Sequence, residues 1–182
     1  MIGPSEILSG DSLEKRDFFI FQRVQEAYNA EFQRIQSLDN KSNYIIGFVG
    51  LLLSIDVLIT TFLIDKLDKM KWYNLSILLL IIISLGLLLL SIYFALHAIK
   101  IRTWTYVPNT EHLLNTYTQG DKSYHETLVK ITLEFAHAIN ENQNNNQSKA
   151  ETIQKAINSL TLGITLFFGG AFISFILLIF NF

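Results

Sequence analysis

Two kinds of hydrophobic pattern alternate along the chain. From Phe18 to Leu38 the apolar residues Phe18, Phe21, Val24, Tyr28, Phe32, Ile35 and Leu38 recur every three or four positions, with Gln22, Arg23, Gln25, Glu26, Glu31, Gln33 and Arg34 between them. That spacing marks one stripe along a helix. From Tyr44 to Ile64 the pattern closes into an apolar run whose one charged residue is Asp56. About 21 helical residues reach ~31 Å, the hydrocarbon thickness of a bilayer. No Pro or Gly falls between Ser12 and Gly47, so the pattern predicts a single helix of ~50 residues, opening near Asp11 or Ser12 and running into the membrane.

Two more apolar runs follow, Tyr73 to Ile99 and Ser159 to Phe182. The short polar stretch DKLDKMKW joins the first two as a tight hairpin, with Trp72 and Tyr73 placed as interfacial aromatics. After the second run, Lys100, Arg102, Trp104 and Tyr106 read as an anchor on the near side. Pro108 is expected to end that helix and open a short one over Asn109 to Thr118, closed by Gly120. Ser123 to Glu126 has capping-box spacing and starts another helix. Its stripe is Leu128, Ile131, Phe135, Ile139, Asn142, Asn146, Ala150, Ile153, Ile157 and Leu160. Within it, ENQNNNQSK supports two readings. It is either a loop between two helices or a continuous helix in which Asn142 and Asn146 form polar layers of a seam.

The expected architecture is therefore an all-α integral membrane protein, three transmembrane helices with long cytoplasmic extensions forming a helical bundle. Its segments are a leader and amphipathic helix (1–42), a first span (43–64), an external hairpin (65–72), a second span (73–99), a cytoplasmic helical region (100–158) and a third span (159–182). Arg23, Arg34, Lys41, Lys100, Arg102, Lys149 and Lys155 lie on one side, against Lys66, Lys69 and Lys71 on the other. The excess places the N-terminus in the cytoplasm and the C-terminus outside an inner membrane.

Composition agrees. Of 182 residues, 50% are hydrophobic and only 16% charged, where a soluble domain carries about a quarter. Mean hydropathy is +0.32. A cleavable secretory signal is not expected, and the first span would itself direct insertion. With no cysteine there is no thiol nucleophile or Cys-based zinc site. A net charge of −2 gives no basic face for nucleic acid.

Candidate chemistry is sparse. Neither a phosphate-binding glycine loop nor H-E-x-x-H occurs, and His137 with Glu141 supplies too few ligands for a metal. Arg102 and His112 are too far apart for the R-x(4 to 6)-H spacing of HEPN-type ribonucleases. No catalytic residue, metal site or cofactor is expected. The membrane segments are more informative. Asp56, with Thr60 and Ser54 nearby, is a candidate for lining a pathway, or for a carboxyl hydrogen-bonded to a neighbouring helix. Gly47, Gly50 and Ser54 on the first span, and Gly170 with Ser174 on the third, allow close helix approach, within one protomer or between copies.

Two local features carry a family resemblance. Asp39-Asn40-Lys41-Ser42 is a D-x-K-[A/S] step leading straight from an amphipathic helix into the first span, and Lys149, Ala150, Ile153 and Ala156 precede the third. With the order of helices, these features resemble the transmembrane effectors of Pycsar systems and are similar to the SLATT effectors of nucleotide-signalled operons. The resemblance implies a homo-oligomer in the lipid bilayer. It would form a pore or channel-like assembly and impair the membrane in antiphage defence, triggered by a nucleotide second messenger or a defence partner protein. The other reading is a membrane-anchored scaffold that recruits a soluble partner without conducting.

Overall fold

A computed structural model gives the fold and describes residues 10–66, 72–101, 104–107 and 124–179. Three helices make it up: α1 (Gly10–Lys66), α2 (Trp72–Lys100) and α3 (Tyr124–Ile179). Each is long and apolar enough to cross a membrane. The expected short helix over 109–118 and the hairpin residues 67–71 lie outside the described residues. α1 and α3 are unbroken over 57 and 56 residues. ENQNNNQSK is thus helical throughout, although Asn is a weak helix former.

The chain divides into two compact units: residues 1–36 with 103–147, and 37–102 with 148–182. In the second unit the core joins Leu38, Ile45, Val49 and Leu52 of α1, Leu88, Ala95 and Ala98 of α2, and Ile153 and Ala156 of α3. Only 22% to 28% of each most apolar window is buried. Leu51, Leu58, Leu79, Leu162 and Phe172 face outward, each more than half exposed. Apolar side chains pointing away from the core suit a lipid environment, where outward hydrophobes cost nothing and helix contacts need other glue.

That glue is visible between α2 and α3. Ser84 donates to the Gly163 carbonyl (2.9 Å) and Ser91 to the Ala156 carbonyl (2.8 Å). The residue numbers rise on α2 as they fall on α3, so these helices are antiparallel. Interhelical bonds of this kind contribute on average about 0.6 kcal/mol each in a membrane. Hydroxyls without such a partner turn back on their own helix: Ser54 bonds the Gly50 carbonyl and Ser174 the Gly170 carbonyl. Gly163 makes the close approach possible. A Cβ there would lie 3.1 Å from Leu88 Cδ2 and 3.4 Å from Leu87 Cβ.

Several sequence expectations shift by one position or one turn. On α1 the stripe's Phe18 and Phe32 are exposed, and Asp17 and Glu31 face inward instead. On α3, Ala138, Lys149 and Ala156 are buried where Ile139, Ala150 and Ile157 were expected, and Ile157 is 37% exposed. The cause is the pitch. Inward positions repeat at 3.5 residues, and small or hydrogen-bonded side chains win places that hydrophobicity alone gives to larger neighbours. α2 ends at Lys100, its last turn closed by Ile101 N–H to the His97 carbonyl (3.3 Å). Pro108 is therefore not what stops it.

Gly163→Val is expected to lower thermal stability in detergent by about 1–3 kcal/mol through overpacking against Leu88. Gly86→Ala, where a Cβ meets nothing within 4 Å, should leave the melting temperature unchanged or higher. Differential scanning fluorimetry of the purified protein measures both.

Candidate functional site

In the first unit a short non-helical segment, residues 104–107, is held between two helices. Trp104 donates from its indole to the Tyr28 hydroxyl (3.1 Å), and its ring packs at 5.6 Å from Tyr28 and 5.5 Å from Phe32. Phe135 of α3 meets Tyr28 and Phe21 at 5.4 and 5.7 Å. Trp104 thus belongs to an aromatic cluster of this unit, whereas Tyr106 stays 76% exposed. One residue on, the Asn142 amide pairs with the Thr105 backbone in both senses, accepting its N–H (2.9 Å) and donating to its carbonyl (3.0 Å). Thr105 Oγ1 donates to Glu141 Oε2 (2.6 Å). A backbone so occupied is unavailable to a helix, which is why the chain does not continue α2 here.

The two Asn positions both sit inside, fully buried. Asn146 donates to the Glu31 carboxylate (2.8 Å) and carbonyl (3.2 Å). Glu31 is also 3.6 Å from Arg34, which reaches Gln147 at 3.4 Å. Near the start of the unit, Asp17 is 6% exposed and contacts Arg16 (3.0 Å) and His125 (2.5 Å). Burial raises its pKa, but hydrogen bonds and charge from Arg16 and His125 outweigh burial and hold the carboxyl below its ordinary range.

In the second unit the D-x-K-[A/S] step and the α3 residues quoted with it meet. Lys149 Nζ lies 2.5 Å from Asp39 Oδ1, with the lysine side chain 1% exposed and the aspartate 38%. Ser42, fully buried, donates to the Leu38 carbonyl (3.1 Å). Ile153 and Ala156 belong to the same core as Leu38. Removing one member of a fully buried pair typically costs about 3–5 kcal/mol, less where the group left behind can reach water. The cost therefore depends on which partner is removed.

Deeper in α1, Asp56 is 1% exposed and accepts from Thr60 at 3.5 Å. Its Oδ2 has no hydrogen-bond partner among the described residues. Ser54 is exposed on the opposite side, as are Gly47 and Gly50, where a Cβ would meet nothing within 4 Å. Gly170 and Ser174 are buried, Gly170 lying 3.8 Å from Leu80 Cβ at its Cβ position. Among the described residues no group of three His, Cys, Asp or Glu side chains could hold a metal.

The model of the Pycsar effector protein domain matches residues 23–180. The chain belongs to the Pycsar effector family. As a Pycsar effector it is a multi-pass membrane effector of antiphage defence. No curated protein and no solved structure matches it.

Sequence reasoning missed five contacts of this effector: Asp39 with Lys149, Asp17 with His125, Trp104 with Tyr28, and those of Ser84 with Gly163 and Ser91 with Ala156. The last pair carried a usable signal, two hydroxyls seven residues apart in a leucine-rich span. Lys149 carried another, a lysine three residues after Asn146 and four before Ile153 on an inward face.

Asn142→Leu should destabilise the first unit by about 1–3 kcal/mol, because the Thr105 N–H and carbonyl lose their partner. Faster proteolysis near residues 104–107 is the readout. Asp17 contributes stability that is present above the unfolded carboxyl pKa of about 3.9 and lost as pH falls through the lower folded value. Amide exchange in the N-terminal half of α1 should therefore accelerate as pH drops from about 5 to 3, relative to an Asp17→Asn protein that lacks this dependence.

Proposed function

We propose that this effector acts without catalysis. In this reading several copies assemble in the inner membrane, with the N-terminus cytoplasmic, and open a path that impairs the membrane when a nucleotide second messenger or a defence partner protein signals infection. The observation that carries the reading is the contrast between two sets of small residues. Gly163 and Gly170 are used inside the protomer, while Gly47, Gly50 and Ser54 form an open face on α1. A backbone bared to lipid at helical spacing suits the approach of a second copy. Three helices are also too few to enclose water, so conduction requires several chains. Asp56 and Thr60 are the polar groups that such a path would use once the helices around them loosen. The scaffold reading has one observation in its favour: Phe18, Phe19 and Ile20, well before the first span, are each 45% to 56% exposed and could seat a soluble partner.

Purified protein should run as a discrete oligomer and leak ions from liposomes. Gly50→Leu is expected to shift assembly toward monomer by roughly tenfold, about 1.4 kcal/mol. Asp56→Asn should alter the leak with assembly intact. A monomeric protein that never leaks, yet captures a soluble partner, would favour the scaffold.

A further inference from the structure

Lys149 is as fully enclosed in the second unit as Asp56, at 1% exposure, and Asp39 is the carboxylate that faces it. The neighbouring Ser42 spends its hydroxyl on the Leu38 carbonyl of its own helix. The Arg16–Asp17, Arg23–Glu26 and Arg34–Glu31 pairs all stay within α1. α1 and α3 both continue unbroken from these residues into their apolar runs, so parting them here parts the mouths of two spans. We propose that Asp39 and Lys149 form a latch that holds α1 against α3 in the resting effector, and that activation separates them.

The latch is asymmetric. The Asp39 side chain is 38% exposed although the Oδ1 that faces the lysine is buried, so water or an incoming cation reaches the acid from its outer side but not the lysine. Neutralising the acid strands an ammonium in an apolar seam, the costly direction. Removing the lysine leaves a carboxylate that water can solvate, and a methionine in its place fills the seam. Opening therefore begins at the acid. The latch itself is independent of how the membrane is impaired; only its consequence for ion flow rests on the proposed function.

The chain has no cysteine, so Ser42→Cys, at a fully buried position, gives a single reporter for labelling by a water-soluble maleimide in membranes opened to both sides. On that background Asp39→Asn is expected to speed labelling by roughly tenfold or more, as local opening exposes the thiol. Lys149→Met should label at or below the reference rate, and Asp39→Asn combined with Lys149→Met should return to it. Asp39→Asn labelling no faster than the reference overturns the latch, as does a double variant as fast as Asp39→Asn alone. Should Asp39→Asn not reach the membrane, Asp39→Ser decides: labelling faster than the reference supports the latch, and labelling at or below it overturns it. Potassium leak from intact cells expressing the same variants separates the two readings. Fast labelling in cells that stay tight supports the latch and overturns the proposed membrane impairment.

Discussion

Everything in this structure depends on a narrow inward seam that repeats every 3.5 residues. On α1 it runs through Asp17, Phe21, Val24, Tyr28, Glu31, Ile35, Leu38, Ser42, Ile45, Val49, Leu52 and Asp56 in steps of four and three. On α2 it runs through Ile77, Ile81, Ser84, Leu88, Ser91, Ala95 and Ala98 in the same steps. Such spacing seats each inward side chain between residues of a facing helix, and it leaves the remaining faces free for lipid or water. One rule thus serves both the polar arms and the spans, which is why α1 and α3 need no break between them.

A seam of interchangeable apolar residues would not say which heptad faces which. The polar members do. Thr105 with Asn142 and Glu31 with Asn146 in one unit, and Asp39 with Lys149 in the other, can each be satisfied in one register only. In the first unit Asp17 meets His125 and Glu31 meets Asn146, so there the numbers rise together and α1 runs parallel to α3. Buried polar groups are poor sources of net stability and good sources of specificity. Under the proposed function, a register held by a few polar contacts gives a defined resting state that a modest input can disturb.

The same division of labour extends to the membrane. Ser84 and Ser91 bind α2 to α3 through carbonyls, Gly163 lets them approach, and Asp56 remains enclosed with one oxygen unpartnered among the described residues. At Gly47 and Gly50, as at Gly86 and Gly169, an added Cβ would meet nothing within 4 Å. Family membership fixes the setting as antiphage defence.

Hydrophobic periodicity alone determined the helical class, the three spans and the approximate ends of α1 and α3, because lipid and helix geometry act locally on any sequence of that pattern. Periodicity left Asp39 to Ser42 and Lys149 for the family resemblance to point out. It could not determine that these two places touch, since they lie over a hundred residues apart and only the packing of α1 on α3 brings them together. Nor could it choose between Ala138 and Ile139 or between Lys149 and Ala150 as inward residues. That choice turns on a pitch of 3.5 against 3.6 residues and on whether a buried amide or ammonium finds its partner, and both are properties of the assembled helices.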